Sequence, residues 1–351
     1  MTGNPLVSVV IPTHKRAHLL DHVLDALTKQ TYRHFEVLII LKPSGDRTED
    51  VLKKYDGLLE MKLIVQTEGY ITDALNLGLK SVIGDITAFI DDDALPFPEW
   101  IQSHVETYAL PNVGGVAGNV MPATLNGKRP LPIKGKPSEF PPKCSPFMPA
   151  IGRKLWSYPL KGLEDYLVYI SKAGIVDYNY EISDCASRQI TKSLLGMGAN
   201  MSVLSKAIED FRFPSSWILG LSWEQFLGWH LWKKGYSIFF NPKAKVYHIV
   251  HGQTLTRNIK DTKRETLRWV ERNLLFYRLY KTEPQLSKMY RIIWLIYLNI
   301  LTIKRICKDK ELYRTNQLKS IFYSEIMGLK WILSRRIGGK YNPLVDLGKF
   351  L

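Results

Sequence analysis

Residues 84–96 read GDITAFIDDDALP, and this stretch decides the fold. Ile86–Ile90 is an uncharged, mostly apolar run, as expected of a strand buried on both faces of a sheet. Asp91, Asp92 and Asp93 follow it without a break. Three carboxylates closing a buried strand repel one another and require a compensating cation. Side chains alternate along extended backbone, so Asp91 and Asp93 are expected on one side and Asp92 on the other. A pair spaced in this way suits a hard divalent ion, Mg²⁺ or Mn²⁺, which binds one or two carboxylates together with substrate phosphates. The alternative is a solvated acidic turn or a helix-capping cluster ahead of Pro96–Glu99.

Working outward, four further strands are predicted: Val7–Ile11, ended by Pro12, then Phe35–Leu41, Leu63–Gln66 and Val113–Ala117. Amphipathic segments separate them; Leu19, Leu20, Val23, Leu24 and Leu27 recur at helical spacing. This alternation predicts an α/β fold with a doubly wound, mostly parallel sheet. Ligands of such sheets lie beyond the carboxyl ends of the strands, so Pro12–Arg16, Lys42–Asp46 and Asp91–Asp93 should converge. Met121–Pro159 holds nine of the 19 prolines and reads as an irregular excursion, either an acceptor-side loop or a lid. Gly196–Ser205, Trp217–Gly235 and Ser237–Val250 resume the α/β pattern, with Gly235 as a helix C-cap. From about Asp261 the chain turns helical and basic.

A length of 351 residues allows one large domain or two modest ones. Hydrophobic residues at 45% and charged residues at 23% exclude a disordered chain and a polytopic membrane protein. Lys and Arg number 48 against 33 Asp and Glu, a net charge of +15 that favours anionic partners such as nucleic acid, phosphorylated metabolites or anionic lipid. Cys144, Cys185 and Cys307 lie far apart with no CxxC, which indicates neither a disulfide framework nor a thiolate zinc site. Met1–Leu6 lacks the order of a signal peptide. A reducing, cytoplasmic setting is therefore the expectation. The longest apolar run, Ile292–Ile303, falls short of the roughly 20 residues needed to span a bilayer.

Several segments, in order, resemble the family 2 glycosyltransferases of the GT-A fold over residues 5–255. VSVVIPTHKR (Val7–Arg16) is similar to that family's first strand and nucleotide loop, and FEVLII with Ser44 and Asp46 to its second. Asn76, Gly78 and Gly84-Asp85 leading into FIDDD resemble the stretch before its DxD. Downstream, GMGANM (Gly196–Met201) resembles the acceptor-side strand, WEQFLGWHLWKKGY (Trp223–Tyr236) the acidic helix and VYH (Val246–His248) the strand after it. The resemblance implies a catalytic domain over residues 1–255. Its nucleotide-sugar half would be 1–120 and its acceptor half 121–255, with a basic helical region over 256–351.

It further implies transfer of a sugar from a nucleotide diphosphate sugar to an acceptor hydroxyl with inversion. Glu224 falls where the family carries its catalytic base; Trp223 replaces the preceding acid and Phe226 a following one. The alternative for Glu224 is an ordinary acid at a helix N-terminus, favoured there by the helix dipole. Pro12, Thr13 and Arg16 would contact the nucleotide. Asp46 would do so too, or else cap a helix beginning near Thr48. The family's base-gripping Asp aligns with Leu41, and Lys42-Pro43 follows, so uridine is not implied. Asp91 and Asp92 would lie by the donor and Asp93 on Mn²⁺ or Mg²⁺. His248, or His251 three residues on, could complete the metal shell or touch phosphate. Asn200 and Trp223 would lie on the acceptor side, unless Asn200 merely stabilises a turn.

Glycans and lipid-linked saccharides are the acceptors expected, with a polyprenyl-phosphate sugar synthase as the alternative. A nucleotidyltransferase would need a phosphate loop such as GxxxxGK[ST], which is missing. A nucleic-acid binder would fit the charge, but no RNP, zinc-finger or helix-turn-helix signature is present. In the tail, TLRWVERNLLFYRLYK and Arg291–Lys304 mix aromatics and aliphatics with Lys and Arg. Such a pattern suits peripheral contact with an anionic membrane, or simple packing of Leu267, Val270, Leu274 and Tyr277 on the catalytic domain.

Overall fold

The structure, a computed structural model, describes residues 3–133, 140, 157–214, 220–251, 271, 275–280, 282–308, 325–326 and 329–330. Its first half alternates strands and helices: β1 (Val7–Thr13), α1 (Ala17–Leu27), β2 (Phe35–Leu41), α2 (Thr48–Lys53), β3 (Met61–Val65), α3 (Ile71–Leu79) and β4 (Ile86–Phe89). There follow β5 (Ala94–Pro96), α4 (Trp100–Thr107), β6 (Val113–Asn126), β7 (Arg129–Pro132), β8 (Val168–Ile170), β9 (Val176–Tyr178) and α5 (Tyr180–Ala186). The remaining elements are β10 (Thr191–Lys192), β11 (Met201–Leu204), a 3₁₀ turn at Ser205–Ile208, α6 (Trp223–Lys233), β12 (Ser237–Ile249) and α7 (Lys288–Lys308).

One sheet runs β10-β12-β6-β11-β4-β1-β2-β3, with β5 beside β12 and β7 beside β6. The fold is mixed α/β with a large, mostly parallel central sheet, as the sequence predicts. β1 and β2 are buried along almost their whole length, because Val, Ile and Leu on both faces meet helices on both sides. β11 breaks the parallel order within the sheet, running antiparallel between β4 and β6, and the short strands β5, β7 and β10 also pair antiparallel.

Two expectations change. β1 continues through Pro12 instead of ending there, with Pro12 opposite Ile40 and Thr13 opposite Leu41. Ile90 N–H donates to Val10 O, so the backbone groups of alternate residues, Pro12 included, face the β4 side, and pairing with β4 has already stopped at Val10. The missing proline N–H therefore leaves no ladder bond unmade. Residues 121–132, expected as part of an irregular excursion, instead extend β6 and turn at Gly127 into β7, which among the described residues pairs with β6 alone. Pro130 and Pro132 are tolerated because β7 is an edge. Of the remaining excursion, 134–139 and 141–156 lie outside the described residues.

Asn200, expected to line an acceptor pocket, is instead fully buried at the junction of α4, β6, β11 and β12. Its Oδ1 accepts from Trp100 Nε1 at 2.8 Å and faces His104 Nε2 at 3.0 Å. Its Nδ2 donates to Asn119 O at 2.9 Å and to Ala244 O at 2.8 Å. Burial lowers the His104 imidazole to about 4, so it stays neutral and also meets Ser202 Oγ at 2.9 Å. Every polar position of the Asn200 amide is thus used to lock β6 to β12 and α4. Asn200→Ala is expected to destabilise the fold by roughly 2–4 kcal/mol, since an indole N–H and two carbonyls lose their partner inside the protein. Chemical denaturation should show that loss, while kcat/KM of the folded fraction stays near the parental value.

Candidate active site

The aspartates sit where the parallel register puts them. Val10 lies opposite Phe89, and three residues further on Thr13 stands level with Asp92, whose Oδ2 accepts from Thr13 Oγ1 at 2.8 Å. Arg16, at the start of α1, donates through Nη1 to Asp92 Oδ1 at 2.8 Å and to Asp93 Oδ2 at 3.1 Å. Asp92 is buried and used by the β1–α1 loop, so it organises Arg16 and Thr13 in place of facing a ligand directly. Asp46 Oδ2 accepts from Ala17 N–H at 3.1 Å and its Oδ1 from Thr48 Oγ1 at 2.8 Å. Those bonds outweigh the desolvation of the group and hold its carboxyl below the ordinary range. Asp46 therefore ties the second loop to the first turn of α1, and the three loops converge.

From the other half of the sheet, β12 pairs antiparallel with β5, placing His248 opposite Ala94. Ile249 N–H donates to Asp93 O at 2.9 Å and fixes this register. His248 Nε2 consequently lies 3.2 Å from Asp93 Oδ1 and 3.9 Å from Asp91 Oδ2. His251 Nε2 reaches Asp93 Oδ2 at 2.8 Å. Asp91, Asp93 and His248 each offer a ligand atom, all within 4.8 Å of one another. The Asp91 side chain is 38% exposed and the Asp93 side chain only 3%; Asp91 is the one open to an incoming ligand. Burial pushes the Asp91 carboxyl upward, and the charge of Asp93 adds to the rise. Asp93, although buried, is held well below the usual range by His248, His251 and Arg16.

These residues fit a divalent cation. Asp93 Oδ1 is buried and takes part in no hydrogen bond, while the set of two carboxylates and one imidazole suits Mn²⁺ or Mg²⁺, the imidazole tilting it toward Mn²⁺. An ion there would relieve the repulsion between Asp91 and Asp93.

Glu224 enters from α6. Met201 pairs with Phe89, so the GMGA segment before β11 lies at the same end of the sheet as the aspartates. Gly198 N–H donates to Glu224 Oε1 at 3.0 Å. Burial pushes the Glu224 carboxyl up to about 7; backbone N–H groups, Gly198 among them, oppose the rise and the charge of Asp91 adds to it. Trp223, expected on the acceptor side, is instead buried edge-on against Phe89 and Phe213 at 5.8 and 5.2 Å between ring centres. A methyl group on Gly198 would overlap the Trp223 ring. The sequence reading missed Gly198 as the holder of Glu224, although GMG is the signal for such a close approach. It also had no means of finding Lys15 and Ser222, non-glycine residues at φ 59° and 63°. They immediately precede Arg16 and the first turn of α6, respectively.

The fold is that of the GT-A glycosyltransferases. It is similar to a mannosyltransferase from Pyrobaculum calidifontis solved with GDP-Man and Mn²⁺, at TM-score 0.50 and 15% identity, over 93% of this chain and 88% of that one. It is similar also to GalNAc-T7 solved with UDP, GalNAc and Mn²⁺, at TM-score 0.55 and 12% identity, over 84% of this chain and 54% of that one. Residues 8–148 match the profile of glycosyl transferase family 2. It is 39% identical over 111 residues to validoxylamine A glucosyltransferase of Streptomyces hygroscopicus subsp. jinggangensis, covering 30% of this chain and 26% of the relative. The match thus spans about a quarter of that protein's length.

Titrating the protein with Mn²⁺ and following the free ion by electron paramagnetic resonance should reveal one site. Asp93→Ala is expected to abolish it and His248→Ala to weaken it by 10–100-fold, in line with the loss of one ligand.

Proposed function

We propose that the protein is an inverting glycosyltransferase that moves a sugar from a nucleotide diphosphate sugar to an acceptor hydroxyl of a glycan or a lipid-linked saccharide. The observation that carries this reading is the placement of Glu224 and the Asp91–Asp93–His248 set at one end of the sheet, close enough for Asp91 to act electrostatically on Glu224. In-line displacement asks for a base at the acceptor and positive charge at the leaving group, held in one frame.

The donor nucleotide would lie across the β1–α1 and β2–α2 loops, over Pro12 and Thr13, with Arg16 supplying positive charge near the diphosphate. Asp91 and Asp93 with His248 would hold Mn²⁺ or Mg²⁺, which when bound supplies neutralising charge for the departing diphosphate. The neighbours solved with GDP-Man and with UDP, each with Mn²⁺, support this assignment by fold. Glu224 takes the proton of the acceptor hydroxyl as its oxygen bonds to the anomeric carbon from the face opposite the leaving group. The bond from that carbon to the diphosphate oxygen breaks, and the electron pair leaves with the diphosphate. Gly198 N–H holds Glu224 through Oε1, which leaves Oε2 for the hydroxyl.

A base works only when ionised, so kcat/KM should fall with decreasing pH through a limb near 7, or somewhat below it once a cation masks Asp91. Glu224→Gln is expected to lower kcat by 10²–10⁴-fold and remove that limb. Thermal shift with UDP, GDP and dTDP sugars plus Mn²⁺ identifies the donor, because a ligand of the folded state raises its stability. Glu224→Gln should keep the shift and Asp93→Ala should lose it. Equal loss in both variants would defeat the assignment of separate roles.

A further inference from the structure

Helix α7 has two unlike faces. On the inner one, Trp294 joins Ala173 and Ile175 in a small core of its own, flanked by Tyr290, Leu295 and Leu298. Arg291 is buried there, its guanidinium 4.7 Å from the Trp294 ring centre and 4.9 Å from that of Phe276, with Nη2 2.6 Å from Glu325 Oε1. Ser287 N–H, just ahead of the helix, donates to Lys172 O at 2.9 Å. These contacts fix the rotation of α7 about its own axis.

The outer face then presents Met289, Ile292, Ile296, Ile300 and Ile303, each 48–62% exposed. Their spacing of three, four, four and three residues draws one stripe along the helix, about 21 Å long at 1.5 Å per residue. A contiguous row of this kind on a protein surface marks an interaction site more often than chance exposure. The 21 residues of α7 include Lys288, Arg291, Lys304, Arg305 and Lys308 and not one Asp or Glu. No described helix is long and apolar enough to cross a membrane. An apolar stripe on a helix that carries only positive charge suits the plane of an interface better than its interior.

We propose that this face of α7 seats on the surface of an anionic lipid bilayer, its isoleucines entering the boundary between headgroups and acyl chains. Charge selects the occupant. A second copy would bring two acid-free basic helices together, in a chain of net charge +15, whereas anionic lipid supplies the opposite sign. The inference does not rest on the transferase reading, because binding to vesicles needs no turnover.

The test is flotation of the full chain with phosphatidylcholine vesicles, with and without about 30% phosphatidylglycerol. The wild type is expected to float at least tenfold more with the anionic vesicles, and the bound fraction should fall as salt rises. The double variant Ile296→Glu/Ile300→Glu alters only solvent-facing positions, so it should keep its melting temperature and lose flotation. Absence of flotation by the wild type, or equal flotation by the variant, would overturn the proposal. So would a dimer in analytical ultracentrifugation that the variant dissolves without any vesicle binding.

Discussion

The structure depends on keeping three consecutive carboxylates together at the end of a buried strand. Repulsion among them is offset from two directions: Arg16 arrives from β1–α1, and His248 and His251 arrive from the end of β12. Neither source is local in sequence, so the cluster exists only when both halves of the sheet are assembled. Arg16 bridges Asp92 and Asp93 through Nη1, while its charge also acts on Asp91. Asp91 is left the most exposed of the triplet, and its surplus negative charge is what a divalent ion would meet first.

That arrangement is delivered by strand register. Parallel pairing of β1 with β4 brings Thr13 level with Asp92, and the short antiparallel β5 clamps β12 so that His248 stands beside Asp93. A one-residue slip in either pairing would turn the wrong side chain to the cleft. The irregularity in β12 between Asn241 and Lys245 belongs to the same design. Asn241 Nδ2 binds Ser103 O and Thr107 Oγ1, both at 2.9 Å, and its Oδ1 accepts from Lys243 N–H. The extra residues are absorbed there, and the strand beyond them is re-phased.

Much of this was legible from residues alone. The strand predicted at Phe35–Leu41, apolar but for Glu36, matches β2 to the residue, and alternation along FIDDD foretold that Asp92 would part from its neighbours. What was not legible is nonlocal. β5 is three residues, Ala94–Pro96, with no strand signature of its own; it exists because β12 supplies a ladder. The amide of Asn200 looked like a ligand-facing group because a polar residue in a glycine-rich strand invites that reading. Its partners Trp100 and His104 lie about a hundred residues away, and only packing reveals that they claim it.

Backbone conformation adds a constraint that no side-chain pattern conveys. Lys15 and Ser222 adopt the left-handed region, which costs a non-glycine residue of the order of 1 kcal/mol. Each stands within two residues of a side chain at the centre of the site, Arg16 in one case and Glu224 in the other. A left-handed residue reverses the chain sharply, and it does so with less freedom than glycine would allow. At Lys15 the reversal aims Arg16 back across the end of β1 toward the aspartates. At Ser222 it starts α6 so that Glu224, in the first turn, falls on Gly198 N–H instead of solvent. Glycine at either place would relax the strain and widen the range of directions open to the side chain that follows. The cation and the carboxylate are therefore positioned by similar turns from opposite halves of the sheet, and local stability is spent to hold them there.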